Sequence, residues 1–255
     1  MKNLFSDVDL NHGDVVMVAS DVLKVLMHNN KSSSKIDLNL IIDMLLEKIS
    51  SRGTLLFPTF NWDFCKGKDF NYKKTKSLCG ALSNIALRRS DFTRTKNPIY
   101  SFAVAGKDKK IVCNMEHMDC FSMDSPFGYL IKNKAKNLFI NLHYRFGGFP
   151  FVHLVEQELN VNYRYKKYFK SSYIDNLGNK KKATYSMFVR KIHEGVGETF
   201  IKEDFDDILR KNNAYKEQTI LDNIFDINII NLDKAYQLLK DNFKKDGGIV
   251  YSAKL

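Results

Sequence analysis

The residues best placed to do chemistry stand between Asn137 and Tyr165, in NLFINLHYRFGGFPFVHLVEQELNVNYRY. His153 and Glu156 are three apart in HLVEQEL, a segment patterned like the first turns of a helix, so both side chains fall on one face. An imidazole beside a carboxylate is an acid/base pair. The ring can take a proton near neutral pH, and the carboxylate orients it and stabilises the imidazolium. His-x-x-Glu also occurs on ordinary solvated helices, so the delivering frame must carry the argument. Here a short apolar strand, Leu138 to Leu142, runs into a turn-rich segment with His143, Arg145, Gly147, Gly148 and Pro150, and the helix follows.

The rest of the chain reads as a scaffold for that segment. Asp14 to Ser20 is an apolar, β-branched strand. It ends at Ser20-Asp21, good N-cap residues, before the helical Val22-Leu23 start. Free backbone N–H groups at such a junction suit a phosphate or carbonyl oxygen. Ile36 to Ile49 has helical apolar spacing, and Gly53 reads as its C′ glycine. Thr54 to Phe60 is a second strand that Pro58 should stop, releasing Trp62 and Asp63 at its carboxyl end. Leu78 to Ser90 and Lys107 to Met118 read as helices around a strand, Ser101 to Gly106, and Ser125-Pro126 opens a short helix. Tyr163 to Ser172 and Ala183 to Ile192 flank the turn cluster Asp175 to Asn179, a β-hairpin. Helices over Phe200 to Lys211 and Leu232 to Phe243 flank a strand at Ile227 to Asn231. The expected fold is therefore a single α/β (mixed α+β) domain over residues 1–255, with a central mixed sheet flanked by helices and a hairpin in the C-terminal half.

Composition narrows the function classes. With 255 residues, 44% hydrophobic and 27% charged, the chain is in the globular range and long enough for a sizeable core. There is no apolar leader and no run approaching membrane length, and Cys65, Cys79, Cys113 and Cys120 are scattered without metal-ligand spacing. These point to a cytoplasmic protein with reduced thiols and no metal. The net charge of +11 is spread along the chain, with no recognition helix or RNA-binding aromatic signature, so nucleic acid is not the expected partner. Dinucleotide, P-loop and nucleophile-elbow patterns are absent.

Several segments, in order, resemble the aminoglycoside 3-N-acetyltransferase family. The family's GDxVxVHSSL junction is similar to Gly13 to Asp21, its GTLxxPTFTWDF strand to Gly53 to Phe64, and its RSxHPxHSxxAxG segment to Arg94 to Gly106. The SPxxxL turn corresponds to Ser125 to Leu130, and the HLAE helix to His153 to Glu156. The chain departs from the pattern where Asn97 and Tyr100 replace two histidines, where Asp21 replaces a serine, and where LHYRFGGFPFVHLVE replaces a loop containing Asp-Ser-Asn.

The resemblance implies transfer of an acetyl group from acetyl-CoA to an amine, with His153 as general base and Glu156 as its support. It places acetyl-CoA near Ser20, Asp21, Val22 and Leu23 and near Lys96 and Ser101. Thr59, Trp62, Asp63, Ser125, His143 and Arg145 then face the acceptor. An Arg where the family has an Asp, in a basic chain, favours a nucleotide-linked amino sugar of polysaccharide synthesis over a free aminoglycoside antibiotic. The alternatives are the antibiotic itself or a non-catalytic basic binding protein; a homo-oligomer is compatible with the sequence.

Overall fold

The computed structural model describes residues 3–33, 35–245 and 250–254. Strand β1 (Val15–Ser20) shows how the core is divided. Val15, Met17 and Ala19 lie in one apolar cluster, and Val16 and Val18 lie in the other. Side chains alternate across a strand, and a strand covered on both faces reads as an unbroken apolar run. Helices α1 (Leu23–Lys31) and α2 (Leu38–Ile49) follow. Asp37 caps α2, its side chain accepting from Asn39 N at 2.8 Å. Gly53 is not the C′ residue: α2 ends at Ser50, which takes a positive φ of 61°. Gly53 is required by close approach instead, since a Cβ there would lie 2.7 Å from the Ile49 side chain and 2.8 Å from Asp14 O.

Strand β2 (Thr54–Pro58) runs parallel to β1 and stops at the proline. The chain continues through β3 (Phe70–Asn71), α3 (Ala81–Ala86), β4 (Thr93–Arg94), β5 (Phe102–Gly106), α4 (Lys109–Asn114), α5 (Pro126–Lys132), β6 (Lys136–Ile140) and α6 (Val152–Glu158). The long hairpin β7 (Arg164–Ile174) and β8 (Lys180–Arg190) comes next. Then follow β9 (Val196–Ile201), α7 (Phe205–Lys211), β10 (Tyr215–Ile220), β11 (Phe225–Asn231), α8 (Leu232–Phe243) and β12 (Val250–Lys254).

Seven strands form the main sheet in the order β10-β11-β6-β1-β2-β5-β4. The central trio β6, β1 and β2 is parallel and the flanking pairs are antiparallel. Ser20 is in register with Ile140, so the carboxyl ends of β1 and β6 open side by side. The start of α1 and the glycine loop before α6 both leave from that edge, the place where open α/β sheets collect ligands. The hairpin, with β3 at its edge, packs into the core cluster on the Val15–Met17–Ala19 side.

Three expected helices are shorter than their patterns. Leu78 to Ser90 yields only α3, because Ser77 and Asn84 exchange hydrogen bonds (Ser77 N to Asn84 Oδ1, 3.0 Å; Asn84 Nδ2 to Ser77 O, 2.9 Å) and fold the chain into a turn before Gly80. Lys107 to Met118 yields α4 alone. Phe200 and Ile201 end strand β9 rather than begin a helix, because β9 pairs with β12, a partner about fifty residues away in sequence.

Candidate active site

Helix α6 presents the acid/base pair. The His153 Nδ1–H donates to Glu156 Oε2 at 2.6 Å. An ionised carboxylate can only accept, so Nδ1 carries a proton, and in the neutral ring this leaves the lone pair on Nε2. Glu156 is 1% exposed and has two further partners. The Tyr163 hydroxyl donates to Oε1 at 2.8 Å, and the Arg164 guanidinium pairs with Oε2, with Nε at 2.8 Å. Burial alone would raise the Glu156 pKa; His153, Arg164 and Tyr163 outweigh it and hold it below the usual glutamate value. Burial and the adjacent carboxylate push the Tyr163 hydroxyl well up, so it remains a donor. Arg164 is itself buried and anchored by Phe188 O (3.3 Å) and Thr199 Oγ1 (3.2 Å), which ties the site to the hairpin and to β9.

The imidazole stands between two clefts. A cleft of 390 Å³ lies over the carboxyl end of β1, among Ser20, Phe60, Trp62, Tyr100, Gly148, Phe149 and His153. A second, of 650 Å³, lies along the hairpin, among Tyr100, Phe121, His153, Arg164, Lys167, Met187 and Arg190. His153 and Tyr100 line both. Gly148, at φ +73°, lets the loop before α6 close onto β1: a Cβ there would stand 2.6 Å from the Ala19 Cβ. The loop is fastened from outside by α7. Asp206 accepts from the Tyr144 hydroxyl and pairs with His143 Nε2 at 3.3 Å and Arg145 Nε at 3.6 Å.

The structure brings some expected site residues together and separates others. Ser20, Trp62 and Arg145 line the smaller cleft with His153. Asp21 serves the start of α1, where its Oδ1 accepts from Leu23 N at 2.8 Å; Val22 is buried and Leu23 exposed beside it. Thr59 and Ser101 are buried and hydrogen-bonded to each other at 2.8 Å rather than open to a ligand. Arg94 holds them in place, donating to Ser101 Oγ (3.0 Å) and Thr59 O (3.1 Å); burial without a carboxylate partner lowers its pKa to about 10. Ser125 is a buried N-cap for α5, accepting from Phe127 N at 3.2 Å. Lys96 pairs with Glu116 at 2.7 Å and lines another cleft, one that His153 does not reach. Asp63 pairs with Lys68 at 3.3 Å and lines neither cleft beside His153. His143 bonds to the loop and to Asp206. Arg145 pairs with Glu203 at 3.2 Å as well as with Asp206, so its fork is already engaged by carboxylates.

Tyr163 and Arg164 carry no local signal in the sequence: they bond to Glu156 from beyond the end of α6. Tyr100 stands where the resemblance expects a histidine, and burial raises its hydroxyl pKa, keeping it a hydrogen-bond donor beside His153.

A mixed sheet with helix α6 set at the carboxyl ends of its parallel strands is an α/β architecture whose ligand-collecting edge lies beside His153. The family model for aminoglycoside 3-N-acetyltransferase matches residues 19–243, and the chain belongs to that family. It is accordingly an N-acetyltransferase, an acyltransferase with acetyl-CoA as co-substrate. Solved structures share the fold. Aminoglycoside acetyltransferase AAC(3)-IIb is similar at a TM-score of 0.77 and 11% identity, with 96% of this chain and 95% of that one covered. AAC-IIIb, in a binary complex with CoASH, gives a TM-score of 0.72 at 16% identity over 91% of each chain. YokD protein from Bacillus subtilis gives 0.71 at 16% identity, over 94% and 95%. No curated protein sequence matches the chain.

Proposed function

We propose that this protein transfers the acetyl group of acetyl-CoA directly to an amine of an amino sugar, with both substrates bound at once. The observation that carries the reading is the His153–Glu156 pair on the wall shared by two clefts. The smaller, mostly apolar cleft beside Ser20 suits the acyl end of the donor, and the larger cleft along the hairpin suits the acceptor. His153 Nε2 removes a proton from the acceptor amine, whose nitrogen attacks the thioester carbonyl. The C–N bond forms, the C–S bond breaks, and the proton passes from the imidazolium to the departing CoA sulfur. The Tyr100 hydroxyl is the donor we assign to the carbonyl oxygen as it gains charge.

The family and the fold neighbours favour a free aminoglycoside as the acceptor. The nucleotide-linked sugar expected from Arg145 loses that support, because Arg145 is already paired with Glu203 and Asp206. Thermal unfolding with and without acetyl-CoA tests the reading first. Donor at ~100 times its dissociation constant should stabilise the fold by about 2.7 kcal/mol. Mass-spectrometric detection of an acetylated amine tests the transfer itself. No shift and no product with any amino sugar would leave a non-catalytic binding protein.

A further inference from the structure

Glu156 holds more than its histidine. The carboxylate is buried, and its Oε2 meets both the His153 Nδ1–H, at 2.6 Å, and the Arg164 guanidinium, with Nε at 2.8 Å. The two contacts differ in kind. Arg164 Nε stands close but lacks the alignment of a hydrogen bond, while the aligned donors of the guanidinium go to Phe188 O and Thr199 Oγ1. Arg164 therefore acts on Glu156 as a fixed positive charge, and its place is set by β8 and β9. The Tyr163 hydroxyl, on Oε1 at 2.8 Å, is a neutral donor.

These charges decide what the pair does with a proton. With Arg164 in place the buried group is neutral when the imidazole is neutral, because guanidinium and carboxylate cancel. A proton on His153 then sets a second cation on the same oxygen and leaves net positive charge out of water, which is disfavoured. Without Arg164 the pair carries an uncompensated negative charge, and the proton restores neutrality. The other charged groups do not replace Arg164. Arg145 in the smaller cleft is paired with Glu203 and Asp206. Lys167, Arg190 and His193 line the larger cleft, with Arg190 directly opposite Arg164 in the ladder. Tyr100 and Tyr165 add hydroxyls and Cys79 a thiol. Among the described residues none of these pairs with His153 or Glu156, and no carboxylate lines either cleft.

We propose that Arg164 is a positioning residue that fixes the working pH of the reaction: its charge keeps Glu156 ionised and the His153 ring free of a second proton, so that the acceptor amine meets a base rather than an imidazolium. This rests on His153 as the general base. A His–Glu pair lacking the guanidinium stays protonated to higher pH, where it has no lone pair for the amine's proton.

The full-length protein is compared with Arg164→Met, Arg164→Lys and Tyr163→Phe, with circular dichroism as the folding control. Arg164→Gln, which keeps a donor toward Phe188 O, takes the place of Arg164→Met if that variant does not fold. The pH dependence of kcat is measured with saturating acetyl-CoA and kanamycin. The His153 ring resonance, identified by its loss in His153→Gln, is titrated by NMR without substrate. Arg164→Met should move both the resonance midpoint and the acid limb of kcat upward by about one pH unit or more, the scale of one adjacent charge. Arg164→Lys should keep most of the wild-type midpoint. Tyr163→Phe, which changes no charge, should move it less than Arg164→Met. A folded Arg164→Met with both readings unmoved would overturn the proposal and leave Arg164 a structural anchor, with His153 as base still standing. A resonance midpoint that rises while the acid limb stays would overturn it by removing His153 as the base. Absence of any acetylated product would remove the acetyltransferase reading and this one together.

Discussion

The two clefts beside His153 are built from different materials. The smaller is framed by the carboxyl end of β1, the Gly147–Gly148 loop and Trp62, and Arg145 at its wall is neutralised by Glu203 and Asp206. The larger is framed by a hairpin whose cations, Lys167 and Arg190, have no carboxylate partner among the described residues. A bulk charge of +11 cannot distinguish these places. The contrast teaches that a cation matters for recognition through its unmet pairing, not its presence. Arg145 sits in the expected loop and is paired with carboxylates; Arg190 sits on a hairpin strand to which the sequence assigned no site residue, and among the described residues it has no carboxylate partner.

Removing the imidazole that both clefts share should have the largest effect. His153→Gln is expected to lower kcat by about two to four orders of magnitude while CoA binding persists, measured by steady-state kinetics and calorimetry. Near-normal turnover would show that the shared wall is not where the reaction occurs.

Glu156→Gln should cost less turnover than His153→Gln, and its larger signature is stability. It leaves buried Arg164 without a counter-charge, a loss of about 3–5 kcal/mol in denaturant unfolding. The pH dependence has a definite sign. The folded Glu156 pKa lies below the ordinary value of 4.5, so its ionisation stabilises the fold above that pH, and the contribution is lost as pH falls through the lowered folded value. Wild type should therefore lose stability below about pH 4.5, and Glu156→Gln should show a flatter acid limb.

Trp62 lines the smaller cleft and not the larger. Trp62→Ala should raise the KM for acetyl-CoA by roughly tenfold, the scale of a lost aromatic contact, and move the acceptor KM little. Equal effects on both substrates would collapse the distinction between the clefts. The smallest effect is expected from Arg145→Ala. Its partner Glu203 has a 90% exposed side chain, a pair worth about 1 kcal/mol or less, and its other partner Asp206 keeps the Tyr144 hydroxyl and His143, so denaturant unfolding should change little.

What could be read from the sequence divides along the same physical line. The β1 run, the Pro58 stop, the hairpin and the i, i+3 pair on α6 are local patterns, and each is present in the structure. Strand β9 was invisible as a strand because its partner β12 is remote in sequence. The Arg164 and Tyr163 bonds to Glu156 likewise depend on how the hairpin returns to α6. Thr59, Ser101 and Ser125 resemble site residues in a string of letters. In three dimensions their hydroxyls serve Arg94 and a helix cap, and burial keeps them from any ligand in this conformation.

The central claim, that donor and acceptor meet at His153 from opposite clefts, is tested most directly by a crystal structure of the protein with CoA. The account predicts the sulfur beside His153 with the pantetheine arm running through the cleft lined by Ser20 and Trp62, and the hairpin cleft left open. CoA lying along Lys167 and Arg190, or bound away from His153, would contradict it.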